Sequence, residues 1–200
     1  LSNNGHCYAF REQLISETVK MLEIEEDIIN DTIDRMIEEK SVIPDEKDAL
    51  YLPPFYFSET GTARRIQEIL SGQAFNSAID VDKLIREIER EHNIKYDQVQ
   101  IDAIRTAAIS KFMVLTGGPG TGKTTTTLAI IRAFQKMGKK VLLAAPTGRA
   151  AKRMSEATGM EAKTIHRLLE YRPPEGYQKN ADNPLECDVL IIDETSIKSQ

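Results

Sequence analysis

Apolar residues along the first half of the chain recur at helical spacing. Phe10, Leu14, Ile15, Val19 and Leu22 form one stripe, and Ile28, Ile29, Ile33, Met36 and Ile37 form a second. Residues 41–43 and 49–52 are short apolar runs separated by the polar stretch 44–48, a pattern that predicts a hairpin. Pro53 and Pro54 end its second strand, because neither can donate to a ladder. Helical periodicity returns over 58–70, gives way to a polar turn at 71–76, and resumes over 81–92 with a stop at Asn93-Ile94.

From residue 96 the rhythm changes. Residues 96–110 read as a helix, 112–116 as a short apolar strand, and 124–137 as a helix that Gly138 stops. A second apolar strand covers 141–145 and a helix covers 148–157. A further helix spans 165–170, capped by Thr164, and a third apolar strand covers 189–192 between Asp188 and Asp193. Strands without a polar face, alternating with helices, predict a parallel sheet covered on both faces. The expected organisation is a mainly helical domain over 1–75, a helical linker over 76–95 and an α/β domain over 96–200. In the first of these, two helices and a hairpin have the outline of a winged helix, a unit that binds DNA in some proteins and contacts protein in others.

One segment carries explicit chemistry. Gly117-Gly118-Pro119-Gly120-Thr121-Gly122-Lys123-Thr124 fits the phosphate-binding pattern G-x-x-x-x-G-K-[ST] completely, with an apolar run before it and a helix after it. Glycines let such a loop curl until successive backbone N–H groups point at phosphate oxygens, and the helix that opens there adds unpaired N–H groups and a positive dipole end. Lys123 then reaches the β- and γ-phosphates of ATP, the Thr124 hydroxyl is placed to ligate Mg²⁺, and Thr125 completes the cradle. Asp193 follows a buried apolar strand 70 residues after Lys123, the placement of an acid that holds Mg²⁺ through water. Glu194 comes next and is the candidate for orienting the attacking water. The fold class expected is therefore an α/β P-loop NTPase, with Lys123, Asp193 and Glu194 as its catalytic residues.

Composition narrows the setting. With 40% hydrophobic and 28% charged residues, the chain has the make-up of a globular protein. No apolar run approaches the roughly 18–20 residues a membrane span needs. Cys7 and Cys187 stand in unrelated contexts, so neither a disulfide framework nor a zinc site is expected, and a reducing cytoplasm is the expected compartment. The net charge of −5 is unevenly spread. Residues 1–95 hold 11 Lys and Arg against 20 Asp and Glu, and residues 96–200 hold 15 against 11. An acidic front half suits a protein partner, and a mildly basic back half suits a polyanion.

The stretch from about Tyr96 to Ser196 resembles the first motor domain of superfamily 1 helicases, in particular the RecD-like DNA helicases. Tyr96-Asp97-Gln98-Val99-Gln100 resembles the family's Q motif, which implies that Gln100 reads the adenine edge. Pro146-Thr147-Gly148-Arg149-Ala150-Ala151-Lys152-Arg153 resembles motif Ia, which implies contact with single-stranded DNA. The residues themselves permit that reading. The segment opens a helix at the C-terminal edge of the sheet, with Thr147 and backbone amides facing an anion and Arg149, Lys152 and Arg153 beside it. A solvated charged face is the alternative. Thr164-Ile165-His166-Arg167-Leu168 resembles the following family motif, and His166 reads equally as a DNA contact or as a packed histidine. Asp193-Glu194-Thr195-Ser196 resembles the helicase form of the Walker B box.

The resemblance implies an ATP-dependent helicase or translocase that moves 5′→3′ on single-stranded DNA, or on DNA with a single-stranded end, in repair or recombination. A protein partner is expected at the acidic front domain. The family's γ-phosphate sensor and its second motor domain with the arginine finger fall outside these 200 residues, so the chain alone is expected to bind ATP weakly and not to unwind DNA. An AAA+ ATPase that loads clamps or remodels proteins is the alternative, because Gly-Pro-Gly-Thr-Gly-Lys-Thr occurs there too. Gln100 and the segment from Pro146 to Arg153 argue against it.

Overall fold

The computed structural model describes residues 6–72, 80–118 and 120–193, and the chain divides into two compact units between Ser71 and Gly72. In the first unit the elements run β1 (Tyr8–Phe10), α1 (Arg11–Leu22), α2 (Glu26–Glu38), β2 (Ile43–Pro44), β3 (Ala49–Tyr51) and α3 (Pro53–Ser71). The two stripes of the sequence meet here: Ile15 of α1 packs on Ile29 and Ile33 of α2, with Val42 and Leu50 closing the cluster. Arg11 ties the helices together, donating from Nε to Asn30 Oδ1 at 3.2 Å and pairing with Asp34 at 2.7 Å.

The hairpin gains a third strand that periodicity over so short a run does not predict. β1 pairs antiparallel with β3, Tyr8 opposite Tyr51 and Phe10 opposite Ala49, giving the order β1-β3-β2. Pro53 and Pro54 end β3 as expected, and they also open α3. The helix therefore begins five residues before the expected 58, since a proline's missing N–H costs nothing in a first turn.

The second unit contains α4 (Val81–His92), α5 (Gln98–Ile109), α6 (Lys123–Lys136), β4 (Val141–Ala145), α7 (Gly148–Thr158), β5 (Ala162–Thr164), α8 (Ile165–Leu168), β6 (Tyr171–Arg172), β7 (Gly176–Tyr177) and β8 (Val189–Ile192). β5, β4 and β8 form a parallel sheet in that order. Its core joins Leu84, Ile85 and Ile88 of α4 to Ile104 of α5, Ile130, Ile131 and Phe134 of α6, and Val141 and Leu143 of β4. No helix among the described residues is long and apolar enough to cross a membrane.

Two expectations about the sheet need correction. The apolar run over 112–116 predicts a strand, yet these residues belong to none: the backbone runs without regular pairing, and Val114 is 71% exposed. An apolar run becomes a strand only where a neighbour completes its ladder, and among the described residues none pairs with it. β8 is also not covered on both faces. Leu190 and Ile192 are 40% and 41% exposed, in the period-2 alternation of a strand with one open face. Central β4 does match the expectation, with four of its five residues buried.

Candidate nucleotide and nucleic-acid site

The sheet brings separate parts of the sequence to one edge. β4 and β8 run in register from Val141 opposite Val189 to Ala144 opposite Ile192, and the Asp193 N–H donates to the Ala144 carbonyl at 3.0 Å. Asp193 is thus pinned, exposed, just past the C-terminal end of β8. On the other side of β4, Ala145 stands opposite Thr164. The C-terminal ends of β8, β4 and β5 therefore present Asp193, Pro146-Thr147 and the start of α8 along one line, the edge at which parallel α/β sheets bind ligands.

α6 packs on β4 and returns to it through residues 137–140, so its first turn points toward the same edge. Gly122 caps that helix in the left-handed region, with φ 77°, and Gly120 has φ 75°. These two values are what a curled anion-binding loop demands, and L side chains rarely adopt them. Gly117 leaves room for a neighbour: a Cβ there would stand 2.7 Å from Thr121 Oγ1, and the hydroxyl would have to turn away. That hydroxyl donates to the Gly118 carbonyl at 2.9 Å and holds the loop closed on itself. Lys123 Nζ donates to the carbonyls of Gly117 and Gly118, at 2.5 and 2.7 Å. Thr124 and Thr125 are exposed at the start of α6, while Thr126 is buried and donates to the Gly122 carbonyl at 3.1 Å. Pro119 and Glu194 lie outside the described residues, as do Thr195 and Ser196.

Gln100 sits at the third position of α5 in a reciprocal cap. The Gln100 N–H donates to Asp97 Oδ1 at 2.8 Å, and the Asp97 N–H donates to Gln100 Oε1 at 3.1 Å. Its Nε2 faces the loop, 3.3 Å from where a Cβ on Gly122 would be. The glutamine motif and the phosphate motif, 22 residues apart for these two positions, are in contact.

Beyond β4, Thr147 caps α7, its Oγ1 accepting from the Ala150 N–H at 3.2 Å. Ala150 and Ala151 pack on Ala145, and these small side chains let α7 lie close on the sheet end. Arg149, Lys152 and Arg153 are all exposed on the other side, Lys152 beside Glu156 at 3.9 Å. Thr164 caps α8 as expected, its Oγ1 accepting from the Arg167 N–H. His166 is exposed and meets two tyrosines, the ring centroids lying 5.6 Å from Tyr171 and 5.8 Å from Tyr177. No strand is expected over 171–177 from periodicity. The signal for the β6–β7 hairpin was nevertheless in the chain, as Pro173-Pro174-Glu175-Gly176 between two tyrosines.

Comparison with known proteins agrees with this geometry. A family model described as AAA domain matches residues 100–199, half of the chain. The chain is 38% identical over 148 residues to the ATP-dependent RecD2 DNA helicase of Deinococcus radiodurans, covering 74% of this chain and 20% of that protein. It is 32% identical to the RecBCD enzyme subunit RecD of Mycolicibacterium smegmatis, covering 76% of this chain and 30% of the relative. It is also 41% identical over 92 residues to the ATP-dependent DNA helicase dda of Enterobacteria phage T4, covering 42% of this chain and 21% of that helicase. The chain thus spans between a fifth and a third of the length of these relatives. Residues 100–199 hold the phosphate loop, the cap of α7 and the acid after β8, and through them the chain belongs to the AAA domain family, with RecD-like helicases among its relatives.

Proposed function

We propose that this chain carries the ATP-binding and DNA-contacting part of a RecD-type, ATP-dependent DNA helicase that moves 5′→3′ on single-stranded DNA. The observation that carries the reading is the loop itself. Gly120 and Gly122 are held at positive φ, and α6 opens at Lys123 toward the sheet edge where Asp193 is pinned. In this reading the N–H groups of Gly118, Gly120, Thr121 and Gly122 and the first turn of α6 hold the phosphates. Lys123 moves from the carbonyls of Gly117 and Gly118 onto the β- and γ-phosphates. Thr124 and Asp193 would hold Mg²⁺, a hard oxygen-seeking cation that neutralises phosphate charge when bound. Gln100 reads the adenine edge, Thr125 borders the phosphates, and Glu194 orients the water.

Pro146, Thr147, Gly148, Arg149, Lys152, Arg153 and His166 form the DNA side of the same edge. Backbone amides at the start of α7 and three cations on its exposed face fit a phosphodiester chain. The acidic first unit is read as a protein-contacting domain. Helicase relatives favour this function over a protein-remodelling or clamp-loading ATPase.

Two titrations on the same chain test the reading. A fluorescent ATP analogue with Mg²⁺ is expected to bind weakly and to lose at least about ten-fold in affinity in Lys123→Ala. A labelled single-stranded oligonucleotide is expected to bind with an affinity that falls as salt rises. Arg149→Ala/Lys152→Ala should weaken it and shallow the log–log salt slope by about 0.7 for each phosphate no longer neutralised. Nucleotide binding without salt-dependent DNA binding would favour the protein-remodelling ATPase instead.

A further inference from the structure

The aromatic cluster on β6, β7 and α8 has no part in the core. Tyr171 and Tyr177 pair across the hairpin with ring centroids 5.0 Å apart, and His166 closes a triangle against both. The rings are not sealed against one another. His166 meets Tyr171 edge to face at 89°, Tyr171 and Tyr177 are tilted by 57°, and the tyrosines remain 46% and 43% exposed. Two exposed tyrosines on a short hairpin, with an exposed histidine of α8 against both, are more than a cross-strand pair needs, since one such pair contributes only about 0.2–1 kcal/mol.

Two further observations indicate what the rings meet. Arg167 and Arg172 follow His166 and Tyr171 directly in the chain and are exposed, Arg172 lying 3.8 Å from Glu170, so the segment that carries the rings also carries positive charge. The cluster also continues the edge on which the phosphate-binding segment lies. Ala145 is paired with Thr164, and Thr147 and His166 each follow two residues later, just past the ends of the neighbouring strands β4 and β5. A polyanion running from the start of α7 across the end of β5 arrives at the rings.

We propose that His166, Tyr171 and Tyr177 form a stacking platform for the bases of single-stranded nucleic acid, adjoining the phosphate contacts of α7. The proposal rests on the DNA-binding reading above. Aromatic faces accept any base, so the platform would be tolerant of sequence.

The test separates bases from backbone. Anisotropy titrations on this chain would use a labelled oligothymidine and an abasic oligonucleotide of equal length and charge, against the wild type, Tyr171→Leu/Tyr177→Leu and Tyr171→Phe/Tyr177→Phe. The wild type should prefer the oligothymidine by about ten-fold, the ratio that roughly 1.4 kcal/mol of stacking produces. The leucine variant should lose that preference while holding the abasic strand unchanged, and the phenylalanine variant should keep it. Quenching of a 2-aminopurine base on binding, present in the wild type and lost with leucine, reads the stacking directly. Equal weakening on both oligonucleotides would show that the hairpin acts through its fold or through phosphates, and would overturn the proposal. Wild-type binding that does not distinguish the two strands overturns this inference alone, whereas no binding of either overturns the DNA-binding reading with it.

Discussion

Gln100 stands against Gly122: a Cβ on the glycine would lie 3.3 Å from the glutamine's Nε2. The helix proposed to read the base and the loop proposed to hold the phosphates meet at that one residue, which also has φ 77°. A side chain at 122 costs about 1–2 kcal/mol for the left-handed conformation, and it presses on Gln100 as well. Gly122→Ala is expected to lower affinity for a fluorescent ATP analogue at least ten-fold while the far-ultraviolet circular dichroism stays that of the wild type. Unchanged affinity would show that the loop tolerates a different curl.

Gln100 has a second task, because its Oε1 accepts the Asp97 N–H while Asp97 caps the helix in return. Two substitutions separate capping from recognition. Asp97→Ala is expected to cost about 1 kcal/mol of stability and to leave the preference for ATP over GTP intact. Gln100→Ala should lose that preference at a similar or smaller cost in stability. Competition titrations beside urea unfolding distinguish the two, and a loss of base preference in both variants would reduce Gln100 to a capping residue.

Much of this was legible along the chain, for local reasons. The phosphate loop is eight consecutive residues, so the glycines that curl it are written in one place, and α1 and α2 follow stripes that span several turns. What stayed hidden depends on distant partners. β1 is three residues long and exists because Tyr8 and Phe10 find Tyr51 and Ala49, some forty residues away. Residues 112–116 show the converse, an apolar run that looks like a strand and lacks a paired neighbour among the described residues. Likewise the meeting of Gln100 with Gly122 comes from the packing of α5 against α6, which no spacing encodes.

Ile131 is 1% exposed, between Ile104 of α5 and the residues of β4, on the helix whose first turn carries Lys123. Truncation to alanine leaves a cavity beneath the phosphate loop's helix and is expected to cost about 2–5 kcal/mol. Urea unfolding should show the midpoint falling with little change in slope. A loss below about 1 kcal/mol would mean that neighbouring side chains collapse into the space.

The acidic side of the pH profile should depend on how α4 is tied to its neighbours. Asp82 accepts from Arg105 Nε at 2.8 Å, and Glu91 from Lys136 Nζ at 2.6 Å, fixing α4 to α5 and to α6. Those hydrogen bonds are the main cause that lowers both carboxyl groups below their ordinary values of 3.8 and 4.5, against a smaller opposing effect of desolvation. A carboxylate with a lowered folded-state value stabilises the fold above its unfolded value, and that contribution disappears as pH falls through the folded one. Lys136→Met removes Glu91's partner, so the variant should be less stable than the wild type near neutral pH, with the gap closing as pH drops below about 4.5. Thermal unfolding of the two proteins between neutral and acid pH measures the gap directly. A difference that stays constant across that range would assign the lysine's effect to the packing of its aliphatic stem rather than to its charge.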